Sequence, residues 1–249
     1  MTTLLLIRHG RSSANTAGIL AGWTPGVHLD EVGQRQAATL ASRLREIRLT
    51  RIVASPLERT IETAEYIAED QKRVLDIDTD ARIGECHYGD WTGQSLTKLV
   101  KKPLWPTIQA HPSAVTFPGD DGEAMVQMQA RAVDAVRDWN RSLRRNAVYA
   151  MISHGDVIKA ILADALGMHL DQFQRIQVDP CSLSVIRYSQ LRPFVLRMND
   201  SGADLSFTQP PRNAGSSSDG AIGGGAGTNR EETGGGKRKA SSVAGKVTS

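Results

Sequence analysis

Cysteine is scarce in this chain. Only Cys86 and Cys181 occur in 249 residues, far apart in sequence. That excludes a disulfide framework and any paired-cysteine zinc spacing, and it points to a reducing compartment. Long hydrophobic runs are absent, so no stretch reaches the length of a membrane span. The one apolar run near the N-terminus is short, lacks a basic segment before it, and runs straight into Arg8-His9, unlike a secretory signal. Repeats of solenoid period are missing as well. So is any His-x-x-x-His or clustered carboxylate pattern, so no metal and no cofactor is expected. The net charge is only +3, and part of the excess sits in Lys237-Arg238-Lys239. A nucleic-acid partner would call for a basic stripe in the folded part, so none is expected, and neither is a membrane partner. The expected location is the cytoplasm, and a homodimer is kept open as the assembly.

What is present is an ordinary globular composition, 40% hydrophobic and 23% charged. Beyond Pro210-Pro211 it changes to Gly- and Ser-rich sequence with almost no large apolar side chains. Such sequence cannot bury enough surface to offset the entropy of ordering it. The expected organisation is one domain over 1–209 and a disordered tail over 210–249.

Within the domain, strands and helices alternate. Thr3 to Ile7 reads as a strand buried on both faces. Asp30 caps a helix expected from Glu31 to about Ile47. Ile52 to Ala54 is a second strand, followed by a helix from Leu57 to about Glu69. Val74 to Ile77 is expected as a third strand near a sheet edge. Residues 94–122, broken by four prolines, are expected to form an insertion over a site mouth with one short helix. A long helix spans Glu123 to about Arg145, and a central strand spans Ala147 to Ile152. Asp156 to Leu166 is a helix stopped by Gly167. Ser182–Tyr188 and Phe194–Met198 are expected as two strands that pair. This alternation argues for α/β layers around a mainly parallel sheet.

The chemistry-bearing residues cluster just after strands. Leu4-Leu5-Leu6-Ile7 ends in Arg8-His9-Gly10, and Ala147 to Ile152 ends in Ser153-His154-Gly155. Ser55-Pro56-Leu57-Glu58-Arg59 follows the second strand. The C-terminal ends of strands in open α/β sheets are where ligands bind. Arginine there offers a planar fork for phosphate oxygens, and imidazole is a nucleophile near neutral pH. Glycine after His9 is read as allowing close approach to an anion. Glu85 lies in the Gly- and aromatic-rich loop Ile83-Gly84-Glu85-Cys86-His87-Tyr88-Gly89-Asp90-Trp91, with Asp90, Asp120, Asp121 and Glu123 as competing acids. His28, His111 and His169 read as structural.

In this order and context the set resembles the histidine phosphatase, or phosphoglycerate-mutase-like, superfamily over roughly residues 3–200. The segments His154 to Lys159 and Leu191 to Leu196 are similar to an actinobacterial branch labelled phosphomutase or phosphatase. The resemblance implies a three-layer α/β/α sandwich. It implies His9 as the nucleophile that becomes phosphohistidine, and Glu85 as general acid and base. It implies Arg8, Arg59 and His154, with Gly155, as the phosphate clamp, and it aligns Asn15 with a polar residue lining the same pocket. Family mutases carry a Glu just after Arg-His-Gly and a longer Arg-rich insertion. Here Arg11 takes the first place, and the insertion offers only Lys101-Lys102 as paired cations. The expectation is therefore a phosphatase acting on a small phosphorylated metabolite, with a mutase as the alternative. A non-catalytic phospholigand binder is the third reading, disfavoured by the intact set. Arg11, Trp23, His87 and Trp105 are candidates for shaping the pocket.

Overall fold

In chain order, the computed structural model forms β1 (Thr2–Arg8), α1 (Ser13–Ala17), α2 (Glu31–Leu44), β2 (Arg51–Ala54), α3 (Glu58–Glu69), β3 (Ile77–Thr79), α4 (Leu96–Leu99), α5 (Trp105–Ala110), α6 (Met125–Ser142), β4 (Val148–Ser153), α7 (Gly155–Leu166), β5 (Leu183–Tyr188) and β6 (Pro193–Asp200). The structure describes residues 1–202, so the expected tail over 210–249 and its boundary lie outside the described residues. One six-stranded sheet has the order β3-β2-β4-β1-β5-β6. The first four of these strands run parallel, and β5 and β6 continue the sheet antiparallel. This is the mainly parallel sheet expected.

Side chains alternate across a strand, and the two faces of this sheet separate accordingly. Leu5, Ile7, Ile52, Ile152 and Ala150 pack with Ala37, Leu40, Ala41 and Leu44 of α2 and with Ala64 and Ile67 of α3. Leu4, Leu6, Val53, Tyr149 and Met151 face the other way, onto Met128, Ala132 and Val136 of α6 and Ile158, Ile161 and Leu162 of α7. Helices on both faces explain why β1 is an uninterrupted apolar run. Among the described residues no helix is long and apolar enough to cross a membrane.

The capping signals act as the sequence indicates. Asp30 accepts from the Gly33 N–H at 2.8 Å at the start of α2, and Gly167 closes α7 in the left-handed region at φ 68°. Several readings differ, among them the long helix, which runs Met125–Ser142 and is shorter at both ends than expected. The third strand is Ile77–Thr79 at the sheet edge, because parallel pairing with β2 begins at Ile52↔Ile77, while Val74 is 96% exposed. Helix α2 stops at Leu44, and Ile47 lies exposed beyond it. Residues 94–122 hold two short helices, α4 and α5, rather than one. Leu99, Ile108, Val115 and Phe117 of this segment sit in the core on the α6–α7 side, so the segment is part of that layer.

Candidate active site

Parallel pairing sets Arg8 of β1 beside Ser153 of β4, and the His9 N–H donates to the Ser153 carbonyl at 3.0 Å. His9 and His154 therefore leave the sheet side by side, with ring centroids 5.3 Å apart. His154 precedes the first turn of α7. Arg59 lies in the first turn of α3, which the Ser55-Pro56-Leu57 bend turns back over the same sheet end. Arg8, His9, Arg59, Glu85 and His154 are all buried.

Hydrogen bonds fix the imidazole tautomers. His9 Nδ1 lies 2.7 Å from the Gly10 carbonyl, which can only accept, so Nδ1 carries the proton and Nε2 holds the lone pair. His154 is the reverse. Its Nδ1 faces an Arg59 guanidinium N–H at 3.2 Å, so it accepts there and donates from Nε2 to Ser55 Oγ at 2.8 Å. Burial pushes both imidazoles well below the usual histidine range, and the charges of Arg59 and Arg8 push the same way. Both rings are neutral near pH 7.

The guanidinium of Arg59 donates to the Gly22 carbonyl at 2.9 Å, and its buried Nη1 has no hydrogen-bond partner among the described residues. A buried cationic donor of this kind is costly unless an anion satisfies it. Arg8 donates to the Val178 carbonyl at 2.9 Å. The N-terminus of α7, opening at Gly155, adds its own preference for negative charge.

Glu85 is 3% exposed. Burial, and then the negative charge of Asp156, raise its carboxyl to about 7, while Arg59 and Arg8 oppose the shift. Its Oε1 accepts from the Cys86 N–H at 3.0 Å, which leaves Oε2, 3.9 Å from His154 Nδ1, to carry the proton. Arg131 holds the loop in place. It donates to the carbonyls of Arg82, Gly84 and Glu85 at 2.7–2.9 Å and grips Glu123 with two bonds. Trp23 donates to the Glu85 carbonyl at 2.6 Å and stacks on His87. A Cβ at Gly84 would lie 2.4 Å from the Trp23 ring, so this close contact requires glycine.

Residues 4–201 match the model of the histidine phosphatase superfamily (branch 1). The chain belongs to this superfamily. The chain is 30% identical over 204 residues to phosphoserine phosphatase 1 of Hydrogenobacter thermophilus, a match covering 80% of this chain and 92% of that protein. It is 28% identical over 190 residues to the probable phosphoglycerate mutase GpmB of Escherichia coli, covering 76% and 86%. Among solved structures it is similar to Bacillus stearothermophilus YhfR, with a TM-score of 0.73, 27% identity and coverage of 80% and 98%. It is an enzyme of phosphomonoesterase or phosphomutase type.

The fold brings His9, Arg8, Arg59, His154 and Glu85 to one end of the sheet. Of the competing acids, Asp90, Asp120 and Asp121 are exposed, and Glu123 is bound by Arg131. Asn15 gives its carbonyl oxygen to Ser12 at 2.9–3.1 Å, capping α1. Of the candidates for shaping the pocket, Arg11 pairs with Asp30 at 2.7 Å and Trp105 stacks on Trp91. Gly10 also packs tightly against helix α2: a Cβ there would lie 2.6 Å from the Gly33 carbonyl. Among the described residues no group of three or more His, Cys, Asp or Glu side chains is placed to hold a metal ion. Sequence reasoning missed the supports: Ser55 on His154, Arg131 on the Glu85 loop, and the buried Asp156. Asp156 follows His154 by two residues, and that spacing was the available signal.

Proposed function

We propose that this enzyme is a phosphatase that hydrolyses a small phosphorylated metabolite through a phosphohistidine on His9. One observation carries the reading: a neutral imidazole with its lone pair on Nε2 shares a buried spot with two arginines and a carboxyl that holds its proton near neutral pH. In this reading Arg8, Arg59, His154, the N–H of Gly155 and Asn15 hold the phosphate oxygens. Nε2 of His9 attacks phosphorus, the ester P–O bond breaks, and the leaving oxygen takes the proton from Glu85. Water then attacks the phosphohistidine. Glu85 takes its proton, the P–N bond breaks, and inorganic phosphate leaves with His9 neutral again. The arginines stabilise charge on the transferring group at both steps, so no metal is required.

Release to water is favoured over transfer to a second substrate group. Arg11 stands after Arg8-His9-Gly10 and is occupied by Asp30. Residues 94–122 put Leu99, Ile108, Val115 and Phe117 into the core and offer only the exposed Lys101 and Lys102 as paired cations. A mutase must keep its phosphoenzyme dry and grip a second anionic group. The similarity to a phosphoserine phosphatase suggests a small substrate with a polar body. Two buried free cysteines suit a reducing, cytoplasmic setting. The test is a panel of phosphate esters, each with and without a phosphate acceptor, scored for free phosphate against isomerised ester. Free phosphate independent of acceptor is expected. Isomer formation exceeding phosphate release would assign a mutase instead.

A further inference from the structure

The end of the sheet away from the catalytic residues carries a cleft that the reaction does not use. Three connections meet there: the chain between α2 and β2, the chain between α3 and β3, and the chain between α6 and β4. Thr50, just before β2, donates its N–H to the Val148 carbonyl at the start of β4 at 2.6 Å, which holds two of these connections together. The cleft encloses about 460 Å³ and is lined by Arg45, Arg48, Lys72, Arg73 and Arg144, with Glu46 as the one acid in its wall. The catalytic residues follow Ser153, at the other end of β4, roughly 20 Å away at the usual rise per strand residue.

The local acids do not neutralise this wall. Asp70 takes the Arg45 guanidinium through two nitrogens at 2.5–3.2 Å, and Glu46 takes Lys72 at 2.5 Å. Arg73 donates to the Leu49 carbonyl, a neutral partner. Arg48 and Arg144 have no acidic partner among the described residues. The guanidinium charges of Arg48, Arg73 and Arg144 thus surround one concave space without an anion. Like charges held around a cleft repel one another and focus a positive potential into it, which raises the local concentration of anions. Each guanidinium is a planar fork that matches the paired oxygens of a phosphoryl group. The volume also falls within the range of small-molecule sites, about 300–1,000 Å³. We propose that this cleft binds a small anion carrying several phosphoryl groups, at a site separate from the catalytic one. Guanidinium groups arriving from three connections suit such an anion better than a single phosphate, which presents too few oxygens to engage them all.

The experiment titrates tripolyphosphate, as the probe, into the full chain while saturating orthovanadate occupies the catalytic site. Binding is read by calorimetry and by melting temperature, both at fixed ionic strength. One site per chain is expected, with a melting temperature that rises as the site fills. Arg48→Ser combined with Arg144→Ser should weaken binding about tenfold or more, since charge-assisted hydrogen bonds are lost at two positions. Both side chains are exposed and remote from His9, so this variant should turn over nitrophenyl phosphate at the wild-type rate, which also shows that it is folded. Arg192→Ser combined with Arg197→Ser removes two exposed arginines on and beside β6 and changes the net charge equally. It should bind the probe as the wild type does. Absence of binding to the wild type overturns the proposal. So does full binding in the Arg48 and Arg144 variant, which would place the probe elsewhere. Equal weakening in both double variants also overturns it, since the attraction would then belong to net charge and not to the cleft.

Discussion

Replacing Glu85 by Gln removes one proton and one titration while keeping the shape of the side chain. With its carboxyl at about 7, Glu85 is about nine-tenths protonated at pH 6 and about one-tenth protonated at pH 8. Because kcat/KM reports the free enzyme up to the first irreversible step, the wild type should lose about tenfold on an alkyl phosphate between these pH values, after correction for the ester's own ionisation. Nitrophenyl phosphate, whose leaving group needs no proton, should change far less. Glu85→Gln should lower the alkyl value by about 10² to 10⁴, the usual contribution of a positioned general acid, and should flatten its pH dependence. Stability offers a second readout. The folded-state value is raised above that of the unfolded chain, so the native state holds the extra proton below about 7, and its stabilisation is lost as pH rises through 7. The melting temperature of Glu85→Gln should therefore rise relative to the wild type from pH 6 to pH 8. Rapid-quench measurement of phosphoenzyme formation with both esters provides the assay. Equal loss on both esters would refute the reasoning, and Asp156, a buried acid two residues after His154, would become the candidate donor.

Three further outcomes are expected. Arg59→Ala should lower kcat/KM by about 10² to 10³, the scale seen when one donor to a developing oxyanion is removed, and Arg59→Lys should restore little because a point charge cannot reach Gly22, His154 and the phosphate together. Gly10→Ala should destabilise the fold by about 1–3 kcal/mol, seen as a lower melting temperature, because the new methyl meets the rigid Gly33 backbone; an unchanged value would mean that α2 yields freely. Incubation with a strong chelator should leave turnover intact, and loss restored by one added metal ion would move the mechanism to metal-assisted hydrolysis.

Much of the site is legible in the sequence because β1 and β4 are short, apolar and end in the same Arg/Ser-His-Gly context. Parallel register then places the two histidines together without further information. The helix ends were equally readable where a cap acts locally, as at Asp30 and Gly167. Local signals failed where tertiary contacts decide. Val74 and Leu75 look like strand residues, yet the strand begins where β2 offers a partner. Arg131 looks like an ordinary charge on an amphipathic helix, and only the fold shows that it ties together three carbonyls of the Glu85 loop. Gly10 shows the same limit, since only the fold reveals its close contact with the Gly33 backbone of α2.

The most direct test of the central claim is to trap the phosphoenzyme. Labelled substrate, acid-free quenching and peptide mapping should place an acid-labile, alkali-stable phosphoryl group on His9, at Nε2. In His9→Ala both the label and turnover should disappear, because His154, the other imidazole in the site, directs its Nε2 to Ser55 and its Nδ1 to Arg59. A label on another residue, or full turnover in His9→Ala, would contradict the account.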